Sequence, residues 1–219
     1  MKSHEIPMNS VFAVAGMVGA GKSTMTQALA SRLGFQASFE NVAENPYLER
    51  FYSDFERWSF HLQIFFLAER FKEQKRIFED GGGFVQDRSI YEDVGIFAKM
   101  HADEGTMDPV DYATYLELYD AMVMTPYFPH PDALIYLEGS LESILERIEK
   151  RGRDMELQTS RSYWEEMYHR YESWISTFTA CPVIRLNIEN YDLLENEQDI
   201  DLIIERIAAV IKKETASGN

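Results

Sequence analysis

The chain has 219 residues, 45% of them apolar, enough to bury one sizeable core without calling for a second domain. Lys and Arg number 21 against 37 Asp and Glu, a formal net charge of −16, so most of the surface repels a polyphosphate backbone and DNA or RNA is not expected as a partner. A lone Cys181, five scattered histidines and the lack of an apolar run of membrane length argue against a disulfide framework, a protein-built transition-metal site and a membrane span, and point to a reducing cytoplasm.

Val11-Phe12-Ala13-Val14-Ala15 is the first short apolar run and reads as a strand cut off by Gly16. Further strands are expected at 36–40, 83–86, 133–137 and, after Pro182, 183–187. Helical patterns lie between them at about 22–33, 54–80, 91–102, 108–125, 140–151, 160–179 and 197–213. Ser140 followed by Glu142 marks one helix start, and Ser162 with Glu165 has capping-box spacing for another. This alternation predicts one three-layer α/β domain spanning 1–219, a mostly parallel five-stranded sheet flanked by helices, with a frayed tail at 215–219. The stripe Trp164, Met167, Tyr168, Tyr171, Trp174, Ile175 and Phe178 recurs at helical spacing and reads as core packing.

Between the first strand and the first helix, Gly16-Met17-Val18-Gly19-Ala20-Gly21-Lys22-Ser23, followed by Thr24, fits G-x-x-x-x-G-K-[ST] in the strand-to-helix context that the motif needs. Glycines let backbone N–H groups wrap a β-phosphate, and the helix N-terminus adds positive potential. Lys22 would neutralise β- and γ-oxygens, and the Ser23 hydroxyl would serve Mg²⁺. Such a loop identifies a nucleotide donor and leaves the acceptor open. The N-K-x-D signature of GTPases is missing, as is an apolar run into an Asp-Glu pair, so small-molecule kinases remain.

Gln86-Asp87-Arg88-Ser89-Ile90-Tyr91-Glu92-Asp93, taken with Trp58-Ser59-Phe60-His61-Leu62-Gln63 and Arg151-Gly152-Arg153, resembles the deoxyribonucleoside kinase family, closest to its Gram-positive deoxyadenosine/deoxycytidine branch. With the phosphate loop these make four separated motifs in order, running from about the first strand to the last helix. The resemblance implies a P-loop kinase fold with an Arg-rich lid at about 147–157. It also implies ATP and Mg²⁺ as donor and metal, the 5′-hydroxyl of a deoxyribonucleoside as acceptor, a homodimer packed through helices, and restraint by dCTP and dATP as end products.

Glu40 stands at the carboxyl end of the second strand, next to the phosphate loop in a parallel sheet, where such folds bind ligands. A carboxylate there can accept the proton of a primary alcohol, although a solvated strand-end Glu is an equally ordinary object. Resemblance makes Glu40 the base, with a share in the metal, while Asn41 replaces the proline that many relatives carry. Asp87 and Arg88 end the third strand, either as metal and phosphoryl ligands or as a helix cap and a surface pair. The family uses both catalytically, with Glu in many animal relatives where this chain has Asp87.

Gln63 and Arg70 lie seven apart on one helical face that also carries Phe66 and Leu67. By resemblance Gln63 reads the nucleobase, Asp93 pairs with Arg70 and accepts from an exocyclic amine, and Phe97 joins the acceptor wall. A carboxylate suits the amino groups of cytosine and adenine better than a carbonyl. Tyr52 and Glu156 match positions that hold the sugar 3′-hydroxyl. Arg147, Arg151 and Arg153 resemble a lid closing over ATP, the last two acting in catalysis; a basic helix end would account for Arg147 alone. Tyr191-Asp192 resembles the loop that meets the adenine of ATP. The nearest competing readings are a deoxyguanosine-type kinase, a nucleoside monophosphate kinase with the same loop and lid, and a nucleotide-binding switch that transfers nothing.

Overall fold

A computed structural model of the protein describes residues 6–40, 44–128, 130–191 and 197–217. These form strands β1 (Val11–Ala15), β2 (Gln36–Ser38), β3 (Phe84–Asp87), β4 (Ala133–Glu138) and β5 (Val183–Asn187) in one all-parallel sheet of order β2-β3-β1-β4-β5. Helix α1 (Lys22–Leu33) leads from β1 to β2, and α2 (Leu48–Ser53) and α3 (Phe55–Asp80) lead on to β3. A helical run then follows as α4 (Ile90–Glu92), a π-helical stretch Asp93–Ala98 and α5 (Lys99–Asp103). Next come α6 (Pro109–Val123), α7 (Leu141–Arg151), α8 (Asp154–Leu157), α9 (Arg161–Thr177) and α10 (Glu197–Ser217).

The continuous apolar runs are the buried strands, as parallel sheets require. Every residue of β1 and β3 is buried, whereas β2 at the edge alternates out to an exposed Gln36. α1 packs on β2 and β3 and meets α10, which covers β4 and β5. Tyr171 of α9 stacks on Tyr136 of β4, bringing the predicted aromatic stripe into the core, with Met167 and Tyr171 at 0% and 1% exposure. The chain goes from β1 to one side of the sheet and later from β3 across to β4 on the other. The carboxyl end of β1 is therefore the point where the winding reverses, and there a crevice opens.

Several expectations need correction. β2 ends at Ser38, so Glu40 lies beyond the strand, and β3 rather than β2 neighbours β1. The fully buried β3 takes the inner place between β2 and β1, and the short, half-polar β2 the edge. α9 is capped by Ser160, whose hydroxyl accepts from Tyr163 N at 3.4 Å, while Glu165 pairs with Arg161 rather than closing a box with Ser162. The expected regular helix at 91–102 is widened at Asp93–Ala98, where the Trp174 ring comes so close to Gly95 that an added Cβ would sit 2.7 Å from it. The short α2, α8 and a 3₁₀ turn at Ile188–Asn190 were not anticipated. α10 continues to Ser217, past the expected helix end at 213, and Gly218 and Asn219 lie outside the described residues.

The turn into β3 carries three successive left-handed glycines, Gly81, Gly82 and Gly83. A Cβ on Gly82 would lie 2.0 Å from the Asn9 carbonyl oxygen, a backbone atom that cannot step aside. Gly82→Ala is expected to destabilise the fold by at least about 2 kcal/mol, measurable by urea unfolding, through strain and clash together.

Candidate functional site

The glycines of the phosphate loop are positioned by what surrounds them. A Cβ on Gly16 would meet Leu137 O at 2.7 Å, and one on Gly19 would meet the Ile148 side chain of α7 at 2.8 Å, both at positive φ. Only a bare backbone fits between β4 and α7; Gly16 N donates to Glu92 Oε1 at 3.2 Å and Ala20 N to Met17 O at 3.0 Å, and it is the other N–H groups of such a loop that serve a ligand. Lys22, 8% exposed, folds over the loop and donates to Gly16 O at 2.8 Å and Met17 O at 3.1 Å. Burial, then the Arg88 cation, pull its ammonium down to about 8, against the opposite pull of Asp87, Glu92 and Glu40. Ser23 Oγ donates to Asp87 Oδ2 at 2.5 Å, so hydroxyl and carboxylate from α1 and β3 meet where the loop ends.

At the exit of β3 the backbone turns through Arg88 at φ 74°, the one non-glycine in the left-handed region among the described residues. That conformation is strained by roughly 1–2 kcal/mol and persists because its surroundings hold it. Arg88 N donates to Val14 O at 2.9 Å, and Arg70 Nη1 reaches Asp87 O and Arg88 O at 3.4 and 3.2 Å. The guanidinium is thereby aimed inward. Its Nε lies 2.9 Å from Glu40 Oε1, Nη1 donates to Tyr171 Oη at 2.9 Å, and the group rests over the Phe97 ring at 4.5 Å. Glu40 also lies 3.5 Å from Arg70 Nη2. Burial alone would raise its carboxyl, but Arg88, Arg70 and Lys22 together hold it below the usual carboxylate value.

A cavity of about 520 Å³ joins these parts. It is lined by Lys22, Ser23, Asp87 and Arg88 from the phosphate loop and the exit of β3, by Glu40 and Tyr52, and by an inner wall of Gln63 and Phe66 from α3 with Asp93 and Phe97 from the π-helical stretch. Gln63 is 2% exposed, and its Oε1 has no hydrogen-bond partner among the described residues, an orphaned acceptor next to the cavity. Asp93 lies against it, joined to Arg70 Nε at 3.1 Å, with burial raising its carboxyl while Arg70 and Arg88 pull it down. Arg70 stands behind the wall instead of lining it. Burial and the Glu156 carboxylate push the Tyr52 phenol upward.

Glu156, 4% exposed, receives Arg151 Nη2 at 2.5 Å and Arg153 Nη1 at 3.3 Å, so the two cations are drawn onto one carboxylate that lines the cavity with them. Arg147 donates to Ile188 O at 3.3 Å and bounds a second, adjoining cavity of about 790 Å³ with Gly21, Thr24, Lys150, Asn190 and Tyr191. Asn41 and Asp192 lie outside the described residues.

Sequence reasoning passed over Glu92 and Tyr171. Glu92 is fully buried beside Gly16, and Tyr171, assigned to the core stripe, uses its hydroxyl toward both Glu92 and Arg88. A carboxylate three residues after Ser89 at a helix start was the available signal, and its spacing is that of the capping box it forms there. Among the described residues no group of three His, Cys, Asp or Glu could hold a metal ion, and no helix is long and apolar enough to cross a membrane. Ser23 and Asp87 supply two hard oxygen donors, which fits Mg²⁺ arriving with phosphate oxygens rather than held in a dedicated protein cage.

The deoxynucleoside kinase profile matches residues 12–212. The chain is 73% identical over 211 residues to the deoxyadenosine/deoxycytidine kinase of Bacillus subtilis, covering 96% of this chain and 97% of that one. Among solved structures, deoxyadenosine kinase from M. mycoides with products dCMP and a flexible dCDP bound superposes with a TM-score of 0.78 at 32% identity, over 91% of this chain and 99% of that one. The same enzyme with bound dATP gives 0.76 at 33% identity, over 90% and 98%. A phosphate loop, an acidic and cationic strand exit and the paired Arg151 and Arg153 around one crevice thus accompany a likeness that runs nearly the whole length of these relatives, and the chain belongs to the deoxynucleoside kinase family.

Proposed function

We propose that the protein transfers the γ-phosphoryl of ATP to the 5′-hydroxyl of deoxyadenosine and deoxycytidine, as a nucleoside salvage kinase. The observation that carries this reading is Glu40, an ionised carboxylate held by Arg88 and Arg70 in the same cavity as the phosphate loop. A sugar alcohol placed between them has a proton acceptor on one side and a phosphoryl donor on the other. Lys22 and the lid residues Arg151 and Arg153 would offset charge on the equatorial oxygens, and Arg88 would do so from the acceptor side. Mg²⁺, held by Ser23 and Asp87, would neutralise the β- and γ-phosphates.

For the base, the orphaned Gln63 Oε1 and the neighbouring Asp93 favour an amino edge over a carbonyl. The inner wall offers amide, carboxylate and aromatic groups, and Arg70 is turned away behind it, which disfavours a monophosphate acceptor. Tyr52 and Glu156 would grip the 3′-hydroxyl. The second cavity, with Tyr191, would take the adenine of ATP. A radiolabelled ATP assay across nucleosides and monophosphates tests all this at once: product with deoxyadenosine and deoxycytidine is expected, and transfer to monophosphates alone, or to thymidine at an equal rate, overturns it.

Arg153→Ala is expected to lower kcat about tenfold or more with little change in Tm, because the side chain is partly exposed and its charge is needed only as phosphoryl charge spreads. We also propose a homodimer. Val110 and Met124 on and after α6 are 72% and 85% exposed, Leu118 is 37% exposed, and only Tyr115 of that helix is fully buried, an apolar face that a second copy would cover. Sedimentation equilibrium checks this, a dimer mass being the expected result. We place the enzyme in the cytoplasm, where ATP is at hand and the Cys181 thiol stays reduced.

A further inference from the structure

Glu92 has more partners than a helix cap requires. Its Oε2 accepts from Ser89 N at 2.9 Å and Ser89 Oγ at 3.2 Å, which is ordinary capping. Its Oε1 does something else: it accepts from Gly16 N at 3.2 Å and from Tyr171 Oη at 3.0 Å, groups 76 and 79 residues away in sequence. Tyr171 in turn accepts from Arg88 Nη1 at 2.9 Å, and Glu92 Oε1 lies 3.8 Å from that same nitrogen. Arg88, Tyr171 and Glu92 close a triangle, and its Glu92 corner is tied to the first glycine of the phosphate loop.

The charge itself calls for a reason. A fully buried carboxylate costs several kcal/mol of desolvation even when paired. Here it also sits beneath a loop built to receive a polyanion, where it repels the donor. Neutral acceptors could cap Ser89 and Gly16 without that conflict. Only an anion also attracts the Arg88 guanidinium and fixes the Tyr171 hydroxyl as donor on one side and acceptor on the other.

We propose that Glu92, acting with Tyr171, is a positioning residue for phosphoryl transfer: it ties the first glycine of the phosphate loop to the strained turn bearing Asp87 and Arg88, and so sets the separation between donor phosphate and acceptor. The loop holds the donor, while Arg88 holds Glu40 at 2.9 Å and Asp87 holds Ser23 at 2.5 Å. Without the tie each half would still bind its own substrate. The two would no longer be fixed at reacting distance, where displacements of about 1 Å are worth about 100-fold in rate.

The inference rests on the kinase reading, and its test separates the two. Glu92→Gln keeps the shape and removes the charge; Tyr171→Phe keeps the ring in the core and removes only the hydroxyl. For the unmodified protein, both variants and the double variant, kcat, KM for ATP and for deoxyadenosine, and Tm are measured. Each single variant is expected to lower kcat about tenfold or more with both KM values within about threefold, and the double variant to fall no more than about twofold below the weaker single, because both act through one contact set. A kcat within about twofold of the unmodified enzyme in the folded variants, or losses that multiply in the double variant, overturns the proposal. If Glu92→Gln does not fold, Tyr171→Phe alone decides by the same kcat and KM criteria. An unmodified protein that phosphorylates no nucleoside overturns the kinase reading instead.

Discussion

Replacing Glu40 with Gln should lower kcat by at least about 100-fold, and by up to about 10⁴-fold, while the protein stays folded and KM for ATP changes little. The expected size reflects the work asked of the carboxylate. Arg88, Arg70 and Lys22 hold it below the usual range, so it is ionised throughout physiological pH and is only a weak base. A weak base suffices when the transition state is loose and the alcohol proton leaves late. Position then matters more than basicity, and an amide in the same place cannot accept the proton at all. The defect should be constant across neutral pH, since Glu40 titrates only in acid. The same depression predicts a stability signature. A folded-state value below the unfolded one gives stability that is present above the ordinary carboxylate range and lost as pH falls through the folded value. The Tm gap between the unmodified protein and Glu40→Gln should therefore narrow in acid. Steady-state kinetics with deoxyadenosine decide the matter: a variant retaining kcat within about threefold removes Glu40 from the base role.

Arg88→Met should damage turnover and stability together, with kcat down about 100- to 1,000-fold and unfolding free energy down by about 3–5 kcal/mol. The kinetic part follows from the proposed mechanism, in which the variant loses a cation beside the migrating phosphoryl. The stability part arises because the guanidinium, 5% exposed, is the shared partner of Glu40 and Glu92, and its removal leaves carboxylates buried with less compensation. Methionine inherits the left-handed backbone and offers no relief from it. Arg88 holds the Glu40 carboxyl below the usual range, so once Glu40 protonates the loss of stability should diminish, and urea unfolding at neutral pH should show a larger deficit than in acid. Arg88→Lys is the informative companion. One ammonium keeps the charge but cannot reach Glu40 and Tyr171 at once, so stability should recover more than turnover. Turnover of Arg88→Met within about threefold of the unmodified enzyme would exclude the residue from the mechanism.

The five strands, the phosphate loop and the long helices were legible because each is announced locally, by apolar runs, by glycines at fixed spacing and by helical periodicity. The pairing of Arg70 with Asp93 was also anticipated, through the resemblance to the kinase family and not through spacing alone. The features that escaped depend on distant chain segments. That β3 rather than β2 lies next to β1 reflects burial on both flanks, which no single segment reveals. Tyr171 has the period of a core residue and is one; nothing near it in sequence says that its hydroxyl ends 3.0 Å from Glu92. The direction of Arg70, behind the cavity wall, was likewise set by the carbonyls of a left-handed turn that the sequence does not mark.

The widened stretch at Asp93–Ala98 bears on how this enzyme tolerates change in length. A π-helical turn holds one residue more than an α-helical turn needs, so a chain shortened by one residue there can close into a regular helix without displacing the downstream turns. Met100 and His101, both fully buried, would keep their seats. The change would fall on the segment from which Asp93 and Phe97 line the cavity. Here an indel, ordinarily ruinous inside a helix, becomes a means of reshaping the cavity wall while the scaffold stands.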